Sequence, residues 1–210
     1  MPVFRSGEPA PAWCELELFE IVDLPKGGRH LFDRRRRKEK LIVAQGRCTV
    51  SCAGRACEVA RGADLDLVVP EGHFEVADVA EPVKLVRMAG TWGDDVGGSG
   101  LFRVDAADKR EDAGLALTYA KNTSFDNHYH DCDEYWIILA GRGAVVSEGR
   151  RYVVSAGDCV ATGMNHHHDF PEVFAPVQAV WFETTMEGRK RRGHLWDHRD
   201  GKAEPKKERV

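Results

Sequence analysis

Five of the nine histidines lie between His128 and His168, and two of them stand two residues apart in His128-Tyr129-His130. On a strand, that spacing puts both imidazoles on one face. Glu134 follows after a short bend that can return it to the same side. Two imidazoles and a carboxylate from one hairpin make a pocket for a divalent metal. The six cysteines fit that role less well. Cys48, Cys52 and Cys57 lack the paired short spacing of a zinc ribbon. Ala53-Gly54-Arg55-Ala56 reads as a hairpin turn that sets Cys52 opposite Cys57, as two small strand residues or as a redox pair.

The elements that must position these residues are strands. Short apolar runs alternate with Gly, Asp and Pro over 16–22, 41–44, 49–52, 65–69 and 83–88, and again over 115–120, 136–140, 144–147, 151–155 and 177–182. This is the pattern of an all-β sandwich or barrel. The two halves are related by a shift of 95 residues. It carries Glu39 onto Glu134, Gly46 onto Gly141, Gly54 onto Gly149, Arg55 onto Arg150 and Gly62 onto Gly157. Leu41-Ile42-Val43 falls on Trp136-Ile137-Ile138. Coincident glycines mark coincident backbone turns, so the chain reads as an internal duplication. The expected domains are 1–92 and 101–186, joined by a linker over 90–100 that is rich in turn formers. Residues 187–210 read as a basic polar tail, solvated or draped over a neighbour.

Composition narrows the classes. A chain of 210 residues with 42% hydrophobic content buries a core without disulfide or metal staples. Thirty basic residues against 34 acidic give a net charge of −4, with no global pull toward nucleic acid or anionic lipid. No apolar run approaches the roughly 20 residues that span a bilayer. The opening residues hold no apolar signal core, so a cytoplasmic protein with reduced thiols is expected.

His-x-His, three residues, Glu134, six residues, Gly141 resembles the first motif of the cupin family. The second motif is similar to the stretch from Gly157 through Gly163-Met164-Asn165 to His166-His167-His168. Gly163 stands in that motif's proline position and Asn165 in its glycine position, and Asn tolerates left-handed backbone. Asp169-Phe170 also fits, whereas Glu172 replaces the final Asn. The resemblance implies two tandem cupin-type β-barrels, each a double-stranded β-helix or jelly roll. It implies a metal held by His128, His130, Glu134 and a fourth ligand. Counting from Gly157 favours His168, and counting from Gly163 leaves His166 as the alternative. The first half departs from the motif. The same shift puts Asp33 and Arg35 at the histidine positions, keeps Glu39, and brings His73 or Glu75 to the last position. Arg offers no lone pair, so no metal is expected there. Arg35 and Glu39 are expected to pair in the barrel, with an anion site on Arg35 or Arg37 as the functional alternative.

Three imidazoles and one carboxylate suit Mn, Fe, Zn, Ni or Co, and leave positions open for a substrate. Strand alternation turns Trp136 and Ile138 inward with Glu134, as walls for a small polar ligand. Tyr119 and Lys121, on a strand leading to His128, are candidates for proton transfer, together with Glu183 and a spare His166. Three functions follow. The first is a metal-dependent isomerase or epimerase acting on a small hydroxy-carbonyl or sugar-like metabolite. The second is an iron-dependent dioxygenase. The third is a non-catalytic small-molecule-binding module. A homodimer is a family expectation.

Overall fold

The structure is a computed structural model that describes residues 2–67, 72–106, 119–187 and 193–209. Its strands in chain order are β1 (Val3–Arg5), β2 (Leu16–Leu24), β3 (His30–Asp33), β4 (Lys38–Gln45), β5 (Arg47–Cys52), β6 (Arg55–Ala60) and β7 (Asp64–Asp66). They continue with β8 (His73–Ala77), β9 (Val83–Gly90), β10 (Val96–Val104), β11 (Glu134–Ser147), β12 (Arg150–Ser155), β13 (Asp158–Thr162) and β14 (His168–Thr185). One four-residue helix, α1 (Asp197–Asp200), follows. The all-β class is as expected. Among the described residues no helix is long and apolar enough to cross a membrane. The expected strand at 115–120 falls mostly outside the described residues.

The chain divides into two compact units, residues 15–92 and residues 1–14 with 93–210. The first fourteen residues do not belong to the first unit as expected. β1 pairs antiparallel with β13, Phe4 opposite Cys159, and Phe4 is buried there. Apolar burial at a sheet edge outweighs nearness along the chain.

The unit of residues 15–92 holds two four-stranded sheets, ordered β2-β9-β4-β7 and β3-β8-β5-β6. They enclose a core that includes Phe32, Leu41, Val43, Val50, Phe74 and Leu85. The other unit is built on a sheet ordered β1-β13-β11-β14-β10, with β12 paired to β11. Its core includes Trp136, Ile138, Val145, Val160, Phe170 and Val177.

The duplication is visible in the backbone. Gly46 and Gly141 have φ of 77° and 84°, and a Cβ on either would strike a proline carbonyl, that of Pro82 or Pro176. Gly62 N–H donates to the Val43 carbonyl at 2.8 Å, and Gly157 N–H to the Ile138 carbonyl at 2.9 Å. Both bonds are the same bond shifted by 95 residues. Ala53-Gly54 and Glu148-Gly149 are matching two-residue turns with positive φ throughout, the hairpin type whose twist suits its strands. That turn corrects the cysteine reading. Cys52 lies opposite Arg55 and Cys57 opposite Val50, and all six cysteines are free.

Residues 96–104 are not a linker. They form β10, paired with β14 from Val96–Thr185 to Val104–Val177. The glycines serve clearance: a Cβ at Gly97 would fall on the Glu183 side chain, and one at Gly100 would come within 2.8 Å of the Trp181 indole nitrogen.

Candidate metal centre

His128 and His168 face each other across an antiparallel bridge, each backbone N–H donating to the other's carbonyl at 3.2 and 2.8 Å. His130 follows on the same face, and Glu134 opens β11 between Thr162 of β13 and Glu183 of β14. Donor atoms of His128, His130, Glu134 and His168 lie within 4.8 Å of one another, all buried. Of the two candidates for the fourth position, His168 joins this group. The His166 ring instead meets the Lys206 carbonyl at 3.1 Å, while the His166 carbonyl lies 2.9 Å from His168 Nδ1. Asn165 takes φ of 62°, the left-handed conformation its position calls for.

The donor set fits a transition metal. The Asp126 carbonyl, 3.0 Å from His128 Nδ1, and the His166 carbonyl on His168 Nδ1 fix both tautomers, so each Nε2 carries its lone pair. Both His130 nitrogens, Glu134 Oε2 and His168 Nε2 are buried without an aligned hydrogen-bond partner. Leaving such atoms unmatched is costly unless a cation takes their lone pairs. Burial holds His130 neutral, its pKa lowered to about 3. Burial works against the Glu134 charge, but His130 and His168 beside it keep the carboxyl well below the usual range. The cluster can therefore present three imidazole nitrogens and a carboxylate to a metal.

A cavity of about 200 Å³ opens beside the cluster, lined by Phe102, Phe125, His128, Glu134, Trp136, Trp181, Glu183 and His194. Trp136 and Glu183 stand where strand alternation predicts. Glu183 is buried, with Oε1 3.6 Å from His130 Nε2. Ile138 lies in the core and not on the cavity. Lys121 and Tyr119 are also absent from the lining. No strand carries them, and both are tied to Asp169, Lys121 Nζ at 2.9 Å from each carboxylate oxygen and Tyr119 Oη at 2.9 Å from one. The Lys121–Asp169 ion pair is buried away from the cavity lining.

Four lining residues were not found by sequence reasoning. Phe102 and Trp181 sit on strands whose glycine-rich pairing hid them. Phe125 precedes the histidines in a stretch without regular structure. His194 comes from the C-terminal segment, which of the two expected arrangements, solvated or draped, takes the draped one. Leu195 and Ala203 are buried against Tyr129, and Trp196 Nε1–H donates to Asp126 at 2.9 Å. The basic run 188–192 lies outside the described residues.

The corresponding positions of residues 15–92 do not converge on a site. Glu39 is buried and saturated: Oε1 accepts from the Arg35 and Arg36 amides at 2.5 and 3.1 Å, and Oε2 from Arg87 Nε and Nη2 at 3.0 and 2.8 Å. Its guanidinium partner is Arg87, not Arg35, whose exposed side chain faces Glu20 at 3.4 Å. Asp33 lies opposite His73 in β3 and β8, both exposed, with the Asp33 carbonyl accepting from Arg87. Glu75 pairs with Arg29. A carboxylate holding four hydrogen bonds has no lone pair left for a metal.

The family model for the cupin domain matches residues 116–183, the segment that carries this cluster. The chain belongs to the cupin superfamily. Along its whole length this cupin is similar to the uncharacterized protein y4oW of Sinorhizobium fredii, 44% identical over 211 positions that cover 100% of this chain and 97% of the relative. Among solved cupin folds it is similar to Bacillus subtilis oxalate decarboxylase, a protein with Mn(II) centres, with a TM-score of 0.55 and 11% identity over 89% of this chain and 78% of that one. Hazelnut (Corylus avellana) vicilin gives a TM-score of 0.54 and 11% identity over 90% and 81%. At such identities these likenesses show the fold.

Proposed function

We propose that this cupin is a metal-dependent enzyme that moves a proton on a small hydroxy-carbonyl or sugar-like metabolite. His128, His130, Glu134 and His168 would hold the ion. The observation that carries the reading is Glu183: a buried carboxylate lines the same small cavity as the donor cluster. A bound divalent ion polarises a carbonyl and acidifies the adjacent C–H. The Glu183 carboxylate takes that proton and returns it to the neighbouring carbon or oxygen. Trp136, Trp181, Phe102 and Phe125 pack against the apolar face of the ligand. The Mn(II) centres of the oxalate decarboxylase make manganese the first ion to load.

Manganese-loaded protein is incubated under nitrogen in D₂O with a panel of 2-hydroxyaldehydes, 2-hydroxyketones and aldoses, followed by proton NMR. Deuterium should enter at the carbon between the two oxygens. Glu183→Gln should keep its metal and lose roughly 10²- to 10⁴-fold in exchange rate. Dioxygen consumption without exchange would replace this reading with a dioxygenase. Thermal stabilisation by a panel member without turnover would replace it with a binding module.

A further inference from the structure

We propose that the C-terminal segment 193–209 is a working part of the metal centre, a strap that holds His128 and His168 in their ligating orientations. The inference rests on the metal reading above and goes beyond it, because none of the four ligands comes from this segment.

The strap docks on the residue between the two motif histidines. His128 and His130 turn toward the cluster, so Tyr129 turns away from it. Tyr129 and Leu195 exchange backbone hydrogen bonds at 3.0 and 2.9 Å, and Tyr129 Oη donates to the Gly201 carbonyl at 2.8 Å. The docked strap then touches His128 twice. The His194 ring stacks parallel on the His128 ring, with centroids 4.2 Å apart and planes 4° apart. The Trp196 indole fastens Asp126, whose carbonyl binds His128 Nδ1. Face and edge of one ligand ring are both set by the strap. Farther along, the Lys206 carbonyl holds the His166 ring, and the His166 carbonyl holds His168 Nδ1. Groups in this outer position fix ring rotation and tautomer, and losing one typically weakens metal binding 10- to 100-fold.

Coupling of this kind is reciprocal. If the docked strap improves metal affinity, bound metal must hold the strap down. His194 and Trp196 are thus positioning residues, and metal occupancy and strap docking form one equilibrium.

The test uses the full chain, stripped with chelator and titrated with Mn(II) and Zn(II) against a competing chromophoric chelator. His194→Ala and Trp196→Phe should each weaken binding about tenfold or more, with the melting temperature of the metal-free protein unchanged. His194→Phe, which keeps a stacked ring, should bind nearly as wild type. Hydrogen exchange at the Leu195 amide should slow when metal is added. Equal affinity in wild type, His194→Ala and Trp196→Phe, or Leu195 exchange indifferent to metal, would overturn the strap while leaving the metal centre in place. A wild type that takes up neither ion would overturn both.

Discussion

His130 enters the cluster with both ring nitrogens buried and neither in an aligned hydrogen bond. Burial lowers its pKa to about 3 from 6.5, with His168 and His128 pulling the same way and Glu134 opposing. Below about pH 6.5 an unfolded chain takes up a proton that the folded ring refuses. Metal-free protein should therefore lose stability as pH falls from about 6.5 toward about 3. His128 works in the opposite sense: burial opposes its charge, but Asp126 raises its pKa, so its contribution is full at low pH and lost as pH rises. Melting temperatures of chelator-treated wild type and His130→Leu across this window separate the two. The variant should show a shallower acid loss, and an identical acid limb would count against a neutral buried His130. His128 and His130 were legible because strand spacing places side chains two apart on one face, while Glu134 and His168 were implied by the resemblance to the cupin motifs. Lys121 and Tyr119 were misplaced because a short-range count cannot see Asp169, the carboxylate that claims both. His194 carried no legible signal, since it sits in a charged segment with no period.

At the scale of elements, β10 and the strap, like β1, differ from the sequence reading for physical reasons. Glycine runs read as turns because glycine tolerates every backbone region. In β10 the glycines instead make room for side chains of β14 that line the cavity. Gly97→Ala tests this, because its Cβ would lie 2.5 Å from the Glu183 Cβ and fall on the carboxylate. Overpacking of this kind costs about 1–3 kcal/mol. The variant should melt lower, retain metal, and lose deuterium exchange along with the displaced Glu183. Full exchange activity in the alanine variant would remove Glu183 from the proposed chemistry. The strap carries little apolar signal because it is mostly charged and only single apolar side chains, Leu195 and Ala203, are buried in it.

The whole molecule is one β pattern used twice and kept for different purposes. Turn glycines, hairpin conformations and one backbone hydrogen bond repeat at 95 residues, and these were legible because turns tolerate few substitutes. The ligand positions diverge. In the second unit they gather imidazole nitrogens and a carboxylate around a common point, with Glu134 Oε2 2.9 Å from His168 Nε2 and 3.2 Å from His130 Nδ1. In residues 15–92 the surviving Glu39 is consumed by Arg87, which came from a strand the motif comparison did not reach. The sequence reading paired Glu39 with Arg35, whereas the structure pairs it with Arg87. We therefore expect one metal per chain, held by His128, His130, Glu134 and His168. The most direct test is elemental analysis of protein purified without chelator and after reconstitution, beside His128→Ala/His130→Ala. One equivalent of a divalent transition metal in the wild type and none in the folded double variant is the predicted result. A folded wild type that takes up no metal, or a double variant that retains it, would contradict the account.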